Sequence, residues 1–233
     1  MRVLVTRAIE DAGETAAELV ALGHEPLIAP LLDVRYVGGP PLDLSAVQAV
    51  LATSRNGVRA LATRTARRDL PILVVGRQTA AVARAQGFTS VKHADGDAAA
   101  LAKAVPDWAS PSGGPLLYVA GAERSSDLAD NLIEKGYSVR TLVLYDAVEI
   151  TALPLGVRSA FEHGLLDAVL VFSARSARIL ADRLKEEGLA HACRHVDACA
   201  ISPAAAEPLK TLPFRSIRWA PRPRRESLLA LLT

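Results

Sequence analysis

Six short turns of this 233-residue chain combine small, hydroxyl-bearing and arginine side chains, and each follows a run of apolar residues. The turns are residues 6–7, 53–57, 76–79, 121–126, 173–176 and 202–203. A small or hydroxyl-bearing residue at a helix start caps the first turn, and the free backbone N–H groups there attract anions. Five of the six turns also contain an arginine, whose guanidinium pairs with carboxylates and phosphates. Capping alone explains any single turn, but the repetition predicts a ligand with many carboxylates or phosphates.

The strands that lead into these turns recur in two copies of about 115 residues. A strand–helix–strand unit at residues 3–28 is repeated at 116–143, and the strand and turn at 49–54 are repeated at 168–173. Gly23 and Gly136 stand where the first helix of each copy must end, at positions that need a positive φ. Continuous apolar strands that alternate with helices are typical of parallel sheets covered on both faces, which predicts an α/β fold.

The repeat leaves two domain arrangements open. The Pro- and Gly-rich segment 111–115 separates the copies and would place one domain on each side. The segments 31–37 and 144–150 are extended, apolar or β-branched, and occupy the same place in each copy. If these two segments pair as linker strands, the domains are interleaved, one from the middle of the chain and one from both ends.

The composition excludes several classes of protein. With 50% hydrophobic and 22% charged residues, the chain is expected to form a packed core rather than a disordered segment. A net charge of +2 and an aromatic content of 4% argue against a basic face or a stacking platform for nucleic acid. No apolar run approaches the roughly 18 residues of a membrane span, and no signal-peptide core precedes the first strand. A cytoplasmic protein that binds neither nucleic acid nor membrane is expected.

Signatures of other common sites are missing from the sequence. It contains no Gly-x-Gly-x-x-Gly after the first strand, no phosphate-binding P-loop and no Gly-x-Ser-x-Gly. The histidines are expected in loops or beside helices rather than at strand ends, which gives a serine hydrolase little support. Cys193 and Cys199 flank His195 but match no common zinc spacing, so free thiols and no bound metal are predicted.

The order of these motifs resembles the uroporphyrinogen-III synthase family over essentially the whole chain. The matching pieces are residues 5–7, 22–23, 53–58, 75–80, 121 with 124, 143–145, 172–176 and 201–203. Each piece is short, so the likeness depends on order and spacing. It implies two interleaved flavodoxin-like parallel-sheet domains joined by a two-stranded linker near 31–37 and 144–150. One domain would comprise residues 1–36 plus 148–233 and the other residues 37–147.

The resemblance also implies an activity. The family uses no metal or organic cofactor; its substrate is hydroxymethylbilane, a linear tetrapyrrole with eight carboxylates. The enzyme removes water, inverts ring D and closes the macrocycle as uroporphyrinogen III, a step of haem biosynthesis. A monomer is expected, and transient hand-over of the labile substrate from the upstream enzyme is left open.

Site residues follow from the same resemblance. Tyr145 ends the apolar run 142–144 and resembles the tyrosine proposed to protonate the departing hydroxyl, although a strand aromatic with a hydrated hydroxyl is its ordinary interpretation. The substrate-binding residues implied are Arg7, Thr53, Ser54, Asn56, Gly76, Thr79, Gly121, Arg124, Ser173, Ser176 and Ser202.

Two turns depart from the family's pattern. Residues 202–206 read Ser-Pro-Ala-Ala-Ala where the family often has a glycine and paired threonines, so only the backbone region of Ser202 is carried over. Asn56 stands where some members have a basic residue, and the neighbouring Arg55 is the candidate replacement.

Two other functions fit the same scaffold. One is a non-catalytic module that senses a tetrapyrrole or another polyanion, and the other is a nucleotide-sugar transferase, because fold alone does not decide function. Binding without isomerisation would favour the first, and tight nucleotide binding would favour the second.

Overall fold

Eleven strands and nine α-helices lie in the part of the chain that the computed structural model describes, residues 1–123 and 127–232. The strands are β1 (Arg2–Val5), β2 (Glu25–Ile28), β3 (Leu32–Tyr36), β4 (Ala49–Ala52), β5 (Ile72–Val74), β6 (Val91–His93), β7 (Leu116–Gly121), β8 (Val139–Glu149), β9 (Ala168–Val171), β10 (Asp197–Ala200) and β11 (Ser216–Trp219). The helices are α1 (Ile9–Ala21), α2 (Arg55–Arg64), α3 (Arg77–Ala85), α4 (Ala98–Ala104), α5 (Leu128–Glu134), α6 (Leu155–Glu162), α7 (Ala174–Glu186), α8 (Pro203–Ala206) and α9 (Arg225–Leu229). None of these helices has both the length and the apolar character needed to cross a membrane.

Packing divides the chain into two compact units, each with its own sheet. Unit 1 comprises Met1–Asp33 and Val148–Thr233, and unit 2 comprises Val34–Ala147. The sheet of unit 1 has the order β11-β10-β9-β1-β2, and every neighbouring pair is parallel. Helices α6, α7 and α8 cover one face and α1 and α9 cover the other, so strands such as β9 are buried throughout and read as continuous apolar runs.

The sheet of unit 2 repeats this arrangement. Its order is β3-β8-β7-β4-β5-β6, and the five strands from β8 to β6 are parallel. Helices α2 and α3 pack on one face and α4 and α5 on the other. The run β8-β7-β4-β5-β6 corresponds strand for strand to β2-β1-β9-β10-β11, the flavodoxin-like order within unit 1. The predicted parallel-sheet α/β class is confirmed, and the sequence repeat corresponds to a structural one.

Strands β3 and β8 are paired in the larger sheet. The N–H of Val37 donates to the carbonyl of Leu144 at 2.8 Å, and the N–H of Ile150 donates to that of Leu31 at 3.1 Å. Residue numbers fall along one strand as they rise along the other, so the pair is antiparallel. The predicted linker segments near 31–37 and 144–150 overlap β3 and the second part of β8, which is one continuous strand that pairs first with β7 and then with β3.

The first helix of each copy ends as predicted. Gly23 follows α1 with φ of +78°, and Gly136 follows α5 with φ of +84°. The next N–H in each case, of His24 and Tyr137, returns to the carbonyls of Leu19 and Leu132 at 2.9 and 3.1 Å. These are the bonds of a helix end closed by a left-handed residue, which confirms the expected conformation.

Candidate active site

The carboxyl edge of the sheet in unit 2 carries several of the predicted site residues. Ser54 follows β4 and caps α2, since its hydroxyl accepts the N–H of Asn56 at 3.1 Å. Gly76 follows β5 as the residue before α3, and Thr79 is buried in the first turn of that helix. Ligands of open parallel sheets bind beyond the carboxyl ends of the strands, so this edge is the expected place for a site.

A β-bulge brings Tyr145 to this edge. Along the parallel pair β7–β8, Ala120 lies opposite Val143, but the next residue, Gly121, lies opposite Tyr145. Leu144 is therefore the extra residue; it is fully buried in the core beneath α2 and α3. A bulge changes the direction in which the following side chain points, and here it places the phenol over the end of β7. The N–H of Ala122 donates to the Tyr145 carbonyl at 2.9 Å and fixes this register.

Glycines on two elements adjoin the ring of Tyr145. A Cβ atom at Gly121 would lie 2.9 Å from Cζ, 3.0 Å from Cε2 and 3.1 Å from the hydroxyl oxygen of Tyr145, which is too close for the ring to stay in place. A Cβ atom at Gly57, in the first turn of α2, would lie 3.6 Å from Cε1, which is an ordinary contact. The ring thus needs a glycine at position 121 but not at position 57.

The surroundings of Tyr145 favour the neutral phenol. Burial raises the pKa of Tyr145 above its usual value, the nearby Tyr118 raises it further, and a hydrogen bond with the Ser54 side chain opposes the shift. Desolvation is the largest of these effects, so the hydroxyl remains protonated throughout the neutral range. A half-buried, protonated phenol at a sheet edge can donate a proton to a departing oxygen.

A cavity of about 420 Å³ opens at the same edge. It is lined by Thr53, Val75, Asp97, Ala98, Ala99, Asp127, Leu128 and Asn131. The Thr53 hydroxyl lies 3.3 Å from that of the buried Tyr118. Thr53 therefore connects the cavity wall with Tyr118, which in turn influences Tyr145. Thr53 and Asn131 can donate hydrogen bonds to a polar ligand, whereas Asp97 and Asp127 disfavour a carboxylate directly beside them.

The predicted site residues of unit 1 lie at the carboxyl edge of its own sheet. Ser173 caps α7, accepting the N–H of Ser176 at 3.0 Å and donating to its hydroxyl at 2.9 Å. Ser202 caps α8 by accepting the N–H of Ala205 at 3.3 Å. Arg7 is held within the unit: its side chain is 8% exposed, lies 3.7 Å from Asp11, donates to Thr15 and stacks 4.4 Å from the ring centre of Phe172.

The structure thus brings part of the predicted set together. Ser54 and Gly121 contact or adjoin Tyr145, and Thr53 lies in the neighbouring cavity wall. Asn56 lies two residues after Ser54 in the first turn of α2, and its side chain accepts a hydrogen bond from Arg59 at 3.0 Å. Gly76 and Thr79 belong to the next strand and helix along the sheet. Arg124 lies outside the described residues.

The two cysteines and the histidines were also considered as possible site residues. Cys193 and Cys199 are free and buried, and burial raises the pKa values of their thiols to about 12 and about 11. No group of three or more potential metal ligands occurs within residues 1–123 and 127–232.

His93 ends β6 and lies 3.2 Å from Asp95, so the expectation that no histidine lies at a strand end was wrong. Strand β6 is only three residues long and only partly buried, so its sequence lacks the apolar pattern that would predict a strand there.

Comparison with known proteins decides the family. A family model described as uroporphyrinogen-III synthase HemD matches residues 13–230, which is most of the chain. The chain belongs to the uroporphyrinogen-III synthase family. The resemblance drawn from the motifs is confirmed, and so is the enzyme class, a cyclising lyase of haem biosynthesis.

Solved structures of uroporphyrinogen-III synthases share the fold. The enzyme from Helicobacter pylori 26695 is 18% identical, with a TM-score of 0.65 over 100% of this chain and 98% of that one. A mutant enzyme from Thermus thermophilus is 19% identical, with a TM-score of 0.52 over 100% and 97% of the two chains. These likenesses confirm the predicted two-domain fold class. Among curated protein sequences, none matches this chain significantly.

Two further residues of this uroporphyrinogen-III synthase family member were not anticipated. Gly57 was noted only as part of a motif, and its contact with the ring of Tyr145 depends on where α2 packs. Tyr118 lies inside a buried strand, and its polar contact with Thr53 crosses from β7 to the turn after β4. The signal that could have found Tyr118 is a hydroxyl within an otherwise apolar run.

Proposed function

We propose that this protein converts hydroxymethylbilane to uroporphyrinogen III, with Tyr145 as the proton donor to the departing hydroxyl. The observation that carries the proposal is the position of the Tyr145 phenol, against Gly121 at the carboxyl edge of a sheet, in a member of the uroporphyrinogen-III synthase family. Nothing in the comparisons favours the ligand-sensing alternative.

The first step is loss of water. Electrons of the pyrrole that bears the hydroxymethyl group expel the hydroxide, and the carbon–oxygen bond breaks as the phenol of Tyr145 supplies a proton. The products of this step are water, an electrophilic exocyclic methylene group and a phenolate. Because the electron-rich pyrrole already favours this loss, Tyr145 is expected to assist the step by about tenfold, below the usual range for general acids.

The second step sets the isomer. Attack by the substituted carbon of ring D on the exocyclic methylene carbon gives a spiro intermediate. The bond from that ring carbon to the methylene bridge of ring C then breaks, and the bridge carbon bonds to the free terminal carbon of ring D, which gives the type III product. Direct attack by the free terminal carbon gives type I. The proton released when the pyrrole of ring D regains its aromaticity returns to the phenolate, so proton and electron counts balance. Control of ring geometry therefore matters more for the product than acid strength does.

Binding of the eight carboxylates is assigned to the turns at the strand ends. In unit 2 the proposed contacts are Thr53, Ser54, Asn56, Gly76, Thr79 and Arg124, with Gly121 beside Tyr145, and in unit 1 they are Arg7, Ser173, Ser176 and the backbone near Ser202. Helix caps support this assignment, because N–H groups at a helix start attract anions. The burial of Arg7 suits a role in shaping its turn as well as in attracting charge.

Several coarser expectations belong to the same proposal. The division into domains 1–36 plus 148–233 and 37–147 is supported by the two compact units. A monomer in the cytoplasm, receiving a labile substrate from the upstream enzyme, suits a small-molecule enzyme of this family. Neither a metal nor an organic cofactor is required by the steps above.

Product analysis tests the proposal. Purified protein is mixed with freshly generated hydroxymethylbilane, and the type I and type III isomers are separated by chromatography after oxidation to porphyrins. Type III as the main product supports the proposal. Type I alone, which forms without an enzyme, would overturn it, and bound but unconverted substrate would favour the sensing module.

A further inference from the structure

Gly121 occupies a position where its own backbone conformation does not require glycine. It is the last residue of β7, is buried, and is absent from the residues with positive φ. Its backbone is therefore one that other residues also adopt. The reason for a glycine must lie in the space around its Cα atom.

The atoms nearest to that space belong to Tyr145. The three atoms nearest to a Cβ at residue 121 all belong to Tyr145: Cζ at 2.9 Å, Cε2 at 3.0 Å and the hydroxyl oxygen at 3.1 Å. Carbon atoms in contact prefer separations of about 3.5–4.0 Å, so a methyl group would have to displace the ring. No backbone atom of another segment competes for this space among those nearest atoms.

The ring must yield away from Gly121. On its opposite edge Gly57 leaves the place of a Cβ atom open, 3.6 Å from Cε1 and 3.4 Å from Cγ1 of Val119. The bulge at Leu144 and the hydrogen bond from Ala122 to the Tyr145 carbonyl fix the backbone from which the ring projects. Displacement would therefore move the phenol itself, at the far end of the side chain, relative to Ser54, which influences its pKa.

We infer that Gly121 is a positioning residue, which serves the reaction by seating the phenol ring of Tyr145 rather than by binding the substrate. This inference rests on the proposed role of Tyr145 as proton donor. It changes the role of Gly121 from the substrate contact implied by the family resemblance to an effect that acts through a second side chain.

A double-mutant cycle separates the two roles. The four proteins are the natural chain, Gly121→Ala, Tyr145→Phe and the double variant, each assayed for kcat, KM and isomer ratio with hydroxymethylbilane. A positioning role predicts that Gly121→Ala lowers kcat about tenfold in the natural background and less than about twofold in the Tyr145→Phe background. A substrate-binding role predicts the same rise in KM in both backgrounds, and that result would overturn the inference.

A stability cycle keeps the test decisive if Gly121→Ala folds poorly. Tyr145→Leu removes the aromatic ring that the new methyl group would meet, so adding Gly121→Ala to that variant is expected to leave Tm nearly unchanged. The same substitution in the natural background is expected to lower Tm. An equal loss of Tm in both backgrounds would overturn the inference, because the glycine would then be needed for another reason.

A third readout follows the phenol directly. The chain has four tyrosines, so labelling tyrosine Cζ with ¹³C gives few signals, and that of Tyr145 is assigned from Tyr145→Phe. Gly121→Ala is expected to change the titration of this signal, because displacement alters both the burial of the phenol and its position relative to Ser54. An unchanged titration would contradict displacement. Gly13→Ala is the matched control: Gly13 lies in α1, nothing is within 4 Å of its Cβ position, and neither kcat nor the Tyr145 signal should change.

Failure of this inference differs from failure of the proposed function. If the natural chain makes only type I product, or if Tyr145→Phe leaves kcat unchanged, the role of Tyr145 fails and the inference fails with it. If Tyr145→Phe lowers kcat but Gly121→Ala lowers it equally in both backgrounds, Tyr145 keeps its role and only the positioning role of Gly121 fails.

Discussion

The side chain of Ser54 lies close enough to the phenol of Tyr145 to lower its pKa, and its oxygen also caps helix α2 by accepting the N–H of Asn56 at 3.1 Å. One hydroxyl thus connects the start of α2, which follows β4, to a side chain on β8, two strands away in the sheet. The position of the phenol therefore depends on the correct formation of α2.

Replacing Ser54 with alanine tests this link. Ser54→Ala is expected to lower the free energy of unfolding by about 1 kcal/mol, because α2 loses its cap. The hydrogen bond lowers the pKa of Tyr145 against the larger effect of burial, so its loss should raise that pKa further. Both effects are measured by urea unfolding and by ¹³C-tyrosine titration. Ser202→Ala removes an equivalent cap on α8 and should leave the Tyr145 titration unchanged. A Tyr145 pKa that stays constant or falls in Ser54→Ala would contradict the link.

Asp197 is expected to stabilise unit 1 in a pH-dependent way. The residue is only 8% exposed. Its carboxylate accepts two hydrogen bonds from Arg215 at 2.9 and 2.7 Å and one from Ser216 at 2.8 Å, and it lies 3.6 Å from Arg218. The bonds from Arg215 are the main cause that holds its pKa below the usual 3.8. A lowered pKa means that the folded state favours the carboxylate, so the stabilisation is complete above pH 3.8 and is lost as pH falls through the folded-state value.

Asp197→Asn should therefore lower the free energy of unfolding at pH 7 by about 2 kcal/mol, and the difference from the natural chain should shrink below pH 4. Urea unfolding at pH 7 and pH 3 measures both values. Asp69→Asn is a suitable control, since Asp69 also pairs with an arginine but its side chain is 70% exposed. A loss of equal size at both pH values would show that the charge of Asp197 is unimportant.

The two cysteines are expected to be inert in the folded protein. Burial raises the pKa values of the Cys193 and Cys199 thiols to about 12 and about 11, so almost no thiolate forms at pH 8. A thiol reagent such as Ellman's should react with neither thiol in the native state and with both in denaturant. Rapid native-state reaction of either thiol would contradict the burial described above.

The strand and helix order could be predicted from sequence because both sheets are parallel and covered on two faces. Residues such as 49–52 and 168–171 are buried on both sides and therefore read as uninterrupted apolar runs. The edge strands β6 and β11 are shorter or more exposed, and their sequences carry less of that signal.

The partners of the turn arginines could not be predicted in the same way. Arg7, Arg77 and Arg175 were expected to attract a polyanion, but each lies near an acidic residue of its own unit, Asp11, Asp95 and Glu149 respectively. Asp95 is 18 residues from Arg77, and Glu149 is 26 residues from Arg175. Such pairs depend on how elements pack, which no local spacing records.

The contacts of Tyr145 could not be predicted from the sequence either. The resemblance identified the residue, but the bulge at Leu144 depends on the pairing register of β7 and β8. The contacts of Gly121 and Gly57 with the ring depend on that register as well. Pairing register is a tertiary property, because a shift of one residue turns a side chain to the other face of the sheet.

The most direct test of the account is the turnover and product of Tyr145→Phe with freshly generated hydroxymethylbilane. The ring and its contacts with Gly57 and Gly121 are retained, and only the hydroxyl that bonds Ser54 is removed. We expect kcat to fall about tenfold while type III remains the main isomer, because the proton donor is lost and the ring geometry is kept. Unchanged kcat would contradict the assignment of Tyr145 as the proton donor.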